Sequence, residues 1–392
     1  DAEPVTGEHL KAASQSRHWL TLISYCLNSC RCAFINVNFS VIQDQTQDTF
    51  GIDESLTAWF YITVMIAIIC TMPIGLWIAT RREFLAIALS AVLDAVATWG
   101  RLFSIHRRSF GLAIATVAIN GTAAGLFLSI PSQLSQQRFP REKRPLTTSL
   151  ATQANYLGWL TGCIFPPLLV TDAATMEKFF FGQAVAASVI VAAVLLLYRP
   201  LLLATDQQAT GAVDSADLLS FTSGSGDANG QHNFKNIFGL LRRCPRLLLE
   251  TIAYGMLGGL SFAIPACMDA ILKPLGYTSR GTMFMNMAFI VPGIVGGVLL
   301  GAFCQNPHHY GKVLKSLFVV SAICFITLAI LKSGLHVFRG GLADVIALAV
   351  LIAVAGICSL SFIGIAIEAA ALHPIRAADM CFWVEYMLQL FG

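Results

Sequence analysis

The feature that most limits what this chain can fold into is a set of long runs holding no acidic or basic residue: 56–80, 109–137 and 146–171. A helix crosses about 30 Å of hydrocarbon with about 20 apolar residues, so each run is long enough to span a bilayer. In water such runs would need a well-charged surface to cover them. Charged residues are only 12% of this chain and hydrophobic ones 56%, whereas soluble domains carry about 25% charged residues. The expected fold class is therefore all-α, a polytopic integral membrane protein with little mass outside the bilayer.

The hydropathy pattern predicts spanning helices at 18–43, 55–80, 83–105, 109–138, 146–171, 177–198, 247–272, 281–304, 312–332, 343–371 and 377–392. Between the sixth and seventh, residues 199–230 are rich in Gly, Ser, Asp, Ala and Thr and cannot bury enough apolar surface to fold alone. After them, Phe234, Ile237, Phe238, Leu240 and Leu241 lie beside Lys235, Arg242, Arg243 and Arg246, the pattern of a basic amphipathic helix on a membrane surface. Four parts are expected: a tail at 1–17, an amino-terminal six-helix bundle at 18–198, a linker at 199–246 and a carboxy-terminal bundle at 247–392. With the amino terminus in the cytoplasm, most of the 25 Lys and Arg residues fall in cytoplasmic loops, as the positive-inside rule requires. A multi-pass protein of the plasma membrane or an organelle membrane is expected, monomeric, without a nucleic-acid partner and without a cofactor.

Most of the eleven cysteines sit inside apolar runs, where Cys packs as a small hydrophobe. Cys26, Cys30 and Cys32 match no common metal spacing, and His308-His309 read as a solvated loop, so no metal site is expected. Asn38-Phe39-Ser40 and Asn120-Gly121-Thr122 match the glycosylation triplet by chance. No phosphate-binding loop, nucleophile elbow or metalloprotease motif is present, and no enzymatic activity is expected. Gly293, Gly297 and Gly301 repeat every four residues on one helix face, as do Gly121/Gly125, Gly158/Gly162 and Gly255/Gly259. Such faces let backbones approach closely in lipid, either as a sliding surface or as static packing.

Ionisable residues inside spanning segments are costly and default to functional candidates. Arg31, Asp94, Glu250, Asp269, Glu368 and Glu385 are of this kind. Asp94 is expected to make a helix-packing hydrogen bond, and Glu250 and Asp269 to reach the interfaces.

Several stretches resemble one family. Ile130-Pro131-Ser132, Phe139, Ala154-Asn155-Tyr156-Leu157-Gly158 and Phe165-Pro166-Pro167-Leu168-Leu169-Val170 follow, in order and without gaps, a pattern of the feline leukaemia virus subgroup C receptor family. Arg17-His18-Trp19-Leu20, Trp99, Ile252-Ala253-Tyr254-Gly255, and Pro374 followed by Gln389-Leu390-Phe391-Gly392 resemble its helices 1, 3, 7 and 11. Six helices, a polar link and six more is also the layout of the major facilitator superfamily, to which that family belongs. A twelfth helix is not found, and a truncated chain is expected.

The resemblance implies a transporter of small organic solutes such as choline, ethanolamine, haem or a B6 vitamin. In the family's choline carriers an aromatic cage and two glutamines hold the quaternary ammonium. Gln389 stands at the second glutamine, but Tyr156 replaces the first, Phe262 replaces the helix 7 aromatic, and Phe34, Ile35 and Asn36 stand where helix 1 has a tryptophan. Substrate contacts are accordingly expected at Phe34, Asn36, Asn155, Tyr156, Tyr254, Phe262, Glu385 and Gln389. By the same analogy Arg31, Glu368 and Glu385 reach the cavity. Arg31 is expected to pair with one of those carboxylates, either as part of proton coupling or as a static ion pair. The gate loops depart from the superfamily: Ala79-Thr80-Arg81-Arg82-Glu83 keeps only the bases and a displaced acid, and Gln305-Asn306 replaces Asp-Arg. The expected function is an alternating-access carrier of a cationic or amphipathic solute bound in the bilayer. The alternative is a receptor or sensor that keeps the fold without net transport.

Overall fold

The fold is seen in a computed structural model that describes residues 7–128, 130–208, 245–272, 277, 279–332 and 342–371. The expected helix at 377–392, with Glu385 and Gln389, and the linker at 209–244 lie outside the described residues, as do the side chains of Glu250 and Asp269. The described residues are helical and contain no strand.

The first half opens with α1 (Gly7–Asn36) and the single turn α2 (Asn38–Val41), which together cover most of the first expected helix. The hydropathy pattern gave no sign of α3 (Gln43–Phe50). It is polar in composition, but Thr46, Thr49 and Phe50 are buried, and their three- and four-residue spacing gives it one face to lay on the bundle. It stops at Gly51, whose φ of 64° is left-handed, a conformation that glycine adopts at least cost.

Next come α4 (Glu54–Arg81), α5 (Glu83–Arg107), α6 (Phe110–Phe127), α7 (Ile130–Arg138), a 3₁₀ turn (Arg141–Lys143), α8 (Arg144–Leu169) and α9 (Ala173–Gln208). The single helix expected at 109–138 is two helices. Pro131 has no N–H, so the Phe127 carbonyl four residues earlier loses its helical donor. The Tyr25 hydroxyl donates to that oxygen instead, at 3.5 Å. The last helix of this half runs on to Gln208, beyond the expected 198, because Leu201–Leu203 and Ala204 are good helix formers.

The second half holds α10 (Pro245–Leu272), α11 (Ser279–Phe303), α12 (Pro307–Lys332) and α13 (Leu342–Ala371). Among the described residues seven helices are long and apolar enough to cross a membrane: α4, α5, α6, α9, α11, α12 and α13. On α12 the apolar Val319, Ile323, Ile326 and Ile330 are exposed, as a lipid-facing surface requires. Helices α1 and α8, which pack against each other, fall short of that measure because they carry polar residues, such as Asn28 and Arg31 on α1 and Gln153 and Asn155 on α8.

One apolar core fills the first half, around Phe60, Val64, Phe127 and Phe180. A second fills the other half, around Phe289, Ile352 and Phe362, and extends across to Met72 on α4 and Tyr156 and Leu160 on α8. The halves meet along α8 and α11. A Cβ at Gly297 would lie 2.6 Å from Gln153 Cδ, and one at Gly301 would lie 2.7 Å from Ser149 Cβ and 2.8 Å from the Pro145 oxygen. Only glycine allows this approach. The third glycine of the row, Gly293, faces Leu360 and the Gly356 carbonyl on α13. In hydrocarbon, helix association rests on such close packing.

Candidate functional site

A cavity lies between the two halves. From α8 it is lined by Ala151, Thr152, Asn155 and Tyr156, a stripe at i, i+1, i+4 and i+5 that shares one helix face. Tyr25 of α1, Met72 of α4, and Leu128 and Pro131 at the α6–α7 break complete that wall. Phe262 of α10 and Ile363 and Ile367 of α13 form the opposite one. Counting only where the centre of a water molecule can lie, the cavity measures about 50 Å³, room for several waters or a small solute.

Above it the rings are in contact. Tyr156 stacks on Phe262 with centroids 5.3 Å apart and planes at 26°. Trp159 lies 5.5 Å from Phe262, and Tyr61 packs edge-on to Trp159 at 6.1 Å. The polar groups of the lining differ in what they have available. Thr152 Oγ1 donates to the carbonyls of Thr148 and Ser149, both at 3.0 Å. Asn155 Nδ2 donates to Ser29 Oγ at 3.3 Å. The Tyr156 hydroxyl is buried and has no partner among the described residues. No charged side chain lines the cavity among them.

Beyond the cavity, at the end where α8 begins, Glu368 of α13 reaches into the first half. Its Oε1 accepts from Thr148 Oγ1 at 2.5 Å and from Ser135 Oγ at 3.4 Å. Arg144 and Tyr310 are the other ionisable groups that act on it electrostatically. Arg144 itself donates to the Phe139 and Gln136 carbonyls. Gln153 Nε2 donates across the same seam to the Leu360 oxygen at 3.0 Å. These contacts tie the halves together at that end.

Arg31 was expected to pair with Glu368 or Glu385. Among the described residues its carboxylate is Asp94, at 2.8 Å and fully buried on α5. The reason is the face of α1 on which it stands. Cys30 and Ala33 pack on Gly158 of α8 and Tyr25 reaches the cavity, while Arg31 turns toward α5 and α6. There it also donates to Asn28 Oδ1 at 2.7 Å. Arg101, also fully buried, donates to the Ile35 oxygen at 2.5 Å and to Asn120 Oδ1 at 2.7 Å, and lies 5.4 Å from the Phe39 ring centre. The Asn120 amide donates to Asp94 Oδ1. Asp94 is thus an ion-pair partner and not only a packing hydrogen bond. Its spacing of seven from Arg101, two turns on one helix face, was the available sign.

Of the expected substrate contacts, Asn155, Tyr156 and Phe262 come together at the cavity. Phe34 lies 6.2 Å from Phe179, and Tyr254 lies 6.2 Å from Phe362. Asn36 ends α1. None of these three lines the cavity. Tyr25, Thr152, Ile363 and Ile367 do line it and were not anticipated. Thr152 stands one turn before Asn155 and Tyr156, and Ile363 and Ile367 are four apart, so helical spacing held part of the signal. Among the described residues no three His, Cys, Asp or Glu side chains converge as a metal site.

Comparison with known proteins agrees with this architecture. The sequence profile of the Major Facilitator Superfamily matches residues 21–378. The choline/ethanolamine transporter FLVCR1 of Felis catus is 22% identical over 325 residues, covering 79% of this chain and 55% of that protein. The choline/ethanolamine transporter FLVCR2 of Rattus norvegicus is 19% identical over 312 residues, covering 78% and 56%. The chain thus spans little more than half the length of these curated relatives. Among solved structures, the transporter FucP in its outward conformation superposes with a TM-score of 0.63 at 16% identity, covering 96% of this chain and 90% of that one. The proton:xylose symporter XylE gives 0.62 at 12% identity, covering 96% and 86%.

Proposed function

This chain belongs to the Major Facilitator Superfamily, and we propose that it is an alternating-access carrier of a small organic solute, amphipathic or cationic and of about the size of choline or ethanolamine. The observation that carries this reading is the cavity walled by both halves, with Tyr156 from the first and Phe262 from the second. A solute held between two bundles changes its access when they rock against each other. The lining supports an organic solute, since it is mostly apolar with a few convergent polar groups. Its size favours a choline-sized solute over one as large as haem. The names of the similar relatives point the same way.

In this reading the amino terminus is cytoplasmic, and the seam at Glu368 is the inner gate. Opening it separates the Glu368 carboxylate from Thr148 and Ser135, and a proton on that carboxylate removes the charge those hydroxyls stabilise. Glu368 is therefore the described residue we assign to proton coupling, with Glu385 as a second candidate.

The test is uptake of radiolabelled choline, ethanolamine and pyridoxine into proteoliposomes, with and without a pH gradient. Saturable uptake of at least one solute, accelerated by the gradient, is expected, and Glu368→Gln removes the acceleration. Binding without flux supports a receptor instead. A gradient response that survives in Glu368→Gln excludes that residue from coupling.

A further inference from the structure

Inside the first bundle, away from the cavity, the charges of the described residues do not balance. Arg31 of α1 is 7% exposed, and Arg101 and Asp94 of α5 are fully buried. Both guanidinium groups act electrostatically on the one carboxylate. Asn120 of α6 joins them, donating to Asp94 Oδ1 and accepting from Arg101 Nη2 at 2.7 Å. A guanidinium stays protonated in a protein, so the group holds one positive charge in excess. Its hydrogen bonding is incomplete in the same sense. Arg31 Nη2 serves Asn28 Oδ1 and Asp94 Oδ2, the latter as an ion pair without an aligned hydrogen bond. Arg101 Nη1 and Nη2 serve the Ile35 oxygen and Asn120. Arg31 Nε and Nη1, Arg101 Nε and Asn28 Nδ2 are buried without a partner among the described residues. All four are donors.

We infer that a small monovalent anion of the halide class binds among Arg31, Arg101 and Asn28, accepting from the donors that the protein leaves open. Buried donors without acceptors carry a standing cost, so native structures complete them with water or a ligand. Water would answer the hydrogen bonds and leave the excess charge, which is costly in the interior of a membrane protein. An anion answers both. A halide has no donor of its own, which suits a site where the open groups are donors. Enclosure by fully buried Asn28, Asp94 and Arg101 favours a single-atom ion over a carboxylate or phosphate. With donors on α1 and on α5, the ion ties these two helices together. The inference does not depend on the carrier reading, and either can fail alone.

The experiment follows the melting temperature of the detergent-solubilised protein in sodium chloride, bromide or gluconate at one ionic strength. Gluconate is too large to enter the bundle. The wild type is expected to melt about 3–6 °C higher in either halide than in gluconate, with the saturation that mass action at one site requires. Asp94→Asn leaves two cations unopposed, so its half-saturating halide concentration falls by about tenfold. Arg101→Gln balances the charge, keeps a donor for the Ile35 oxygen, and loses the halide response. These opposite directions separate the site from a general salt effect, which moves all three proteins alike. In crystals of the wild type grown in bromide, anomalous scattering places the ion within hydrogen-bond reach of Arg31 and Arg101. Equal melting in chloride and gluconate, a halide response that is the same in both variants, or a bromide map without a peak at this place overturns the inference. Should a variant fail to fold, the bromide map of the wild type decides.

Discussion

Arg31 and Asp94 form an ion pair in the interior of the first bundle, and Asn120 links the buried Arg101 to the same carboxylate. Such a group is held by reciprocity: Arg31 meets Asp94 at 2.8 Å, and Asn120 bonds both Asp94 and Arg101. Removing one member of a buried pair leaves the other charge uncompensated, at a cost of about 3–5 kcal/mol. Asp94→Asn should therefore lower the melting temperature of the detergent-solubilised protein strongly. Arg31→Met combined with Asp94→Leu, which removes both charges of the pair and leaves only Arg101, should cost less than Asp94→Asn alone, which leaves two buried cations. A melting temperature unchanged in Asp94→Asn would show that the pair does not hold α1 to α5 and α6. That ionisable residues sit inside spanning segments was readable from Arg31 and Asp94 one at a time. Their pairing was not, because it depends on which face of α1 meets α5.

At the level of elements, breaks and caps decide where helices begin. Pro131 splits the fourth crossing, and Tyr25, from a distant part of the chain, serves the carbonyl it frees. The start of α9 is local by contrast. Asp172 Oδ1 accepts from the Thr175 N–H at 2.7 Å and from its hydroxyl at 2.7 Å, while Thr175 Oγ1 accepts from the Asp172 N–H at 2.9 Å. This is a reciprocal cap. Those bonds from Thr175 hold the Asp172 carboxyl below the usual carboxylate range. A depressed pKa means that the capping contribution is complete above the unfolded pKa and fades as pH falls through the folded one. Protection of the amides at 173–176, measured as exchange relative to each amide's intrinsic rate at that pH, should thus fall on acidification, and Asp172→Ala should show the low protection at neutral pH. Slow exchange in that variant would assign the helix start to tertiary packing. The cap's sign, the order Asp172-Ala173-Ala174-Thr175, was overlooked when the helix was expected to start at 177, and α3 was missed because its polar composition hides a face that is buried only by its neighbours.

Across the whole molecule, the seam between the halves depends on the absence of side chains at Gly297 and Gly301. Gly301→Val places methyl groups against Ser149 and the Pro145 backbone, which cannot yield without parting the halves. In a cysteine-depleted background carrying Ser149→Cys, this change should speed labelling by a membrane-impermeant maleimide from the side bearing Arg141 and Arg144, and should slow flux. Unchanged labelling would mean that the seam tolerates the added volume. The solvent of the helices, their order and most of their boundaries could be read from the sequence alone, because transfer into hydrocarbon is a property of each residue and sums along a run. The small-residue row at Gly293, Gly297 and Gly301 was legible for the same reason, being periodic within one helix. Only the tertiary structure decided that Arg31 answers to Asp94, that Phe34 and Tyr254 stand back from the cavity while Tyr25 enters it, and that Tyr156 meets Phe262. Such pairings depend on how separate helices rotate and approach one another, and no sum over single residues contains that information.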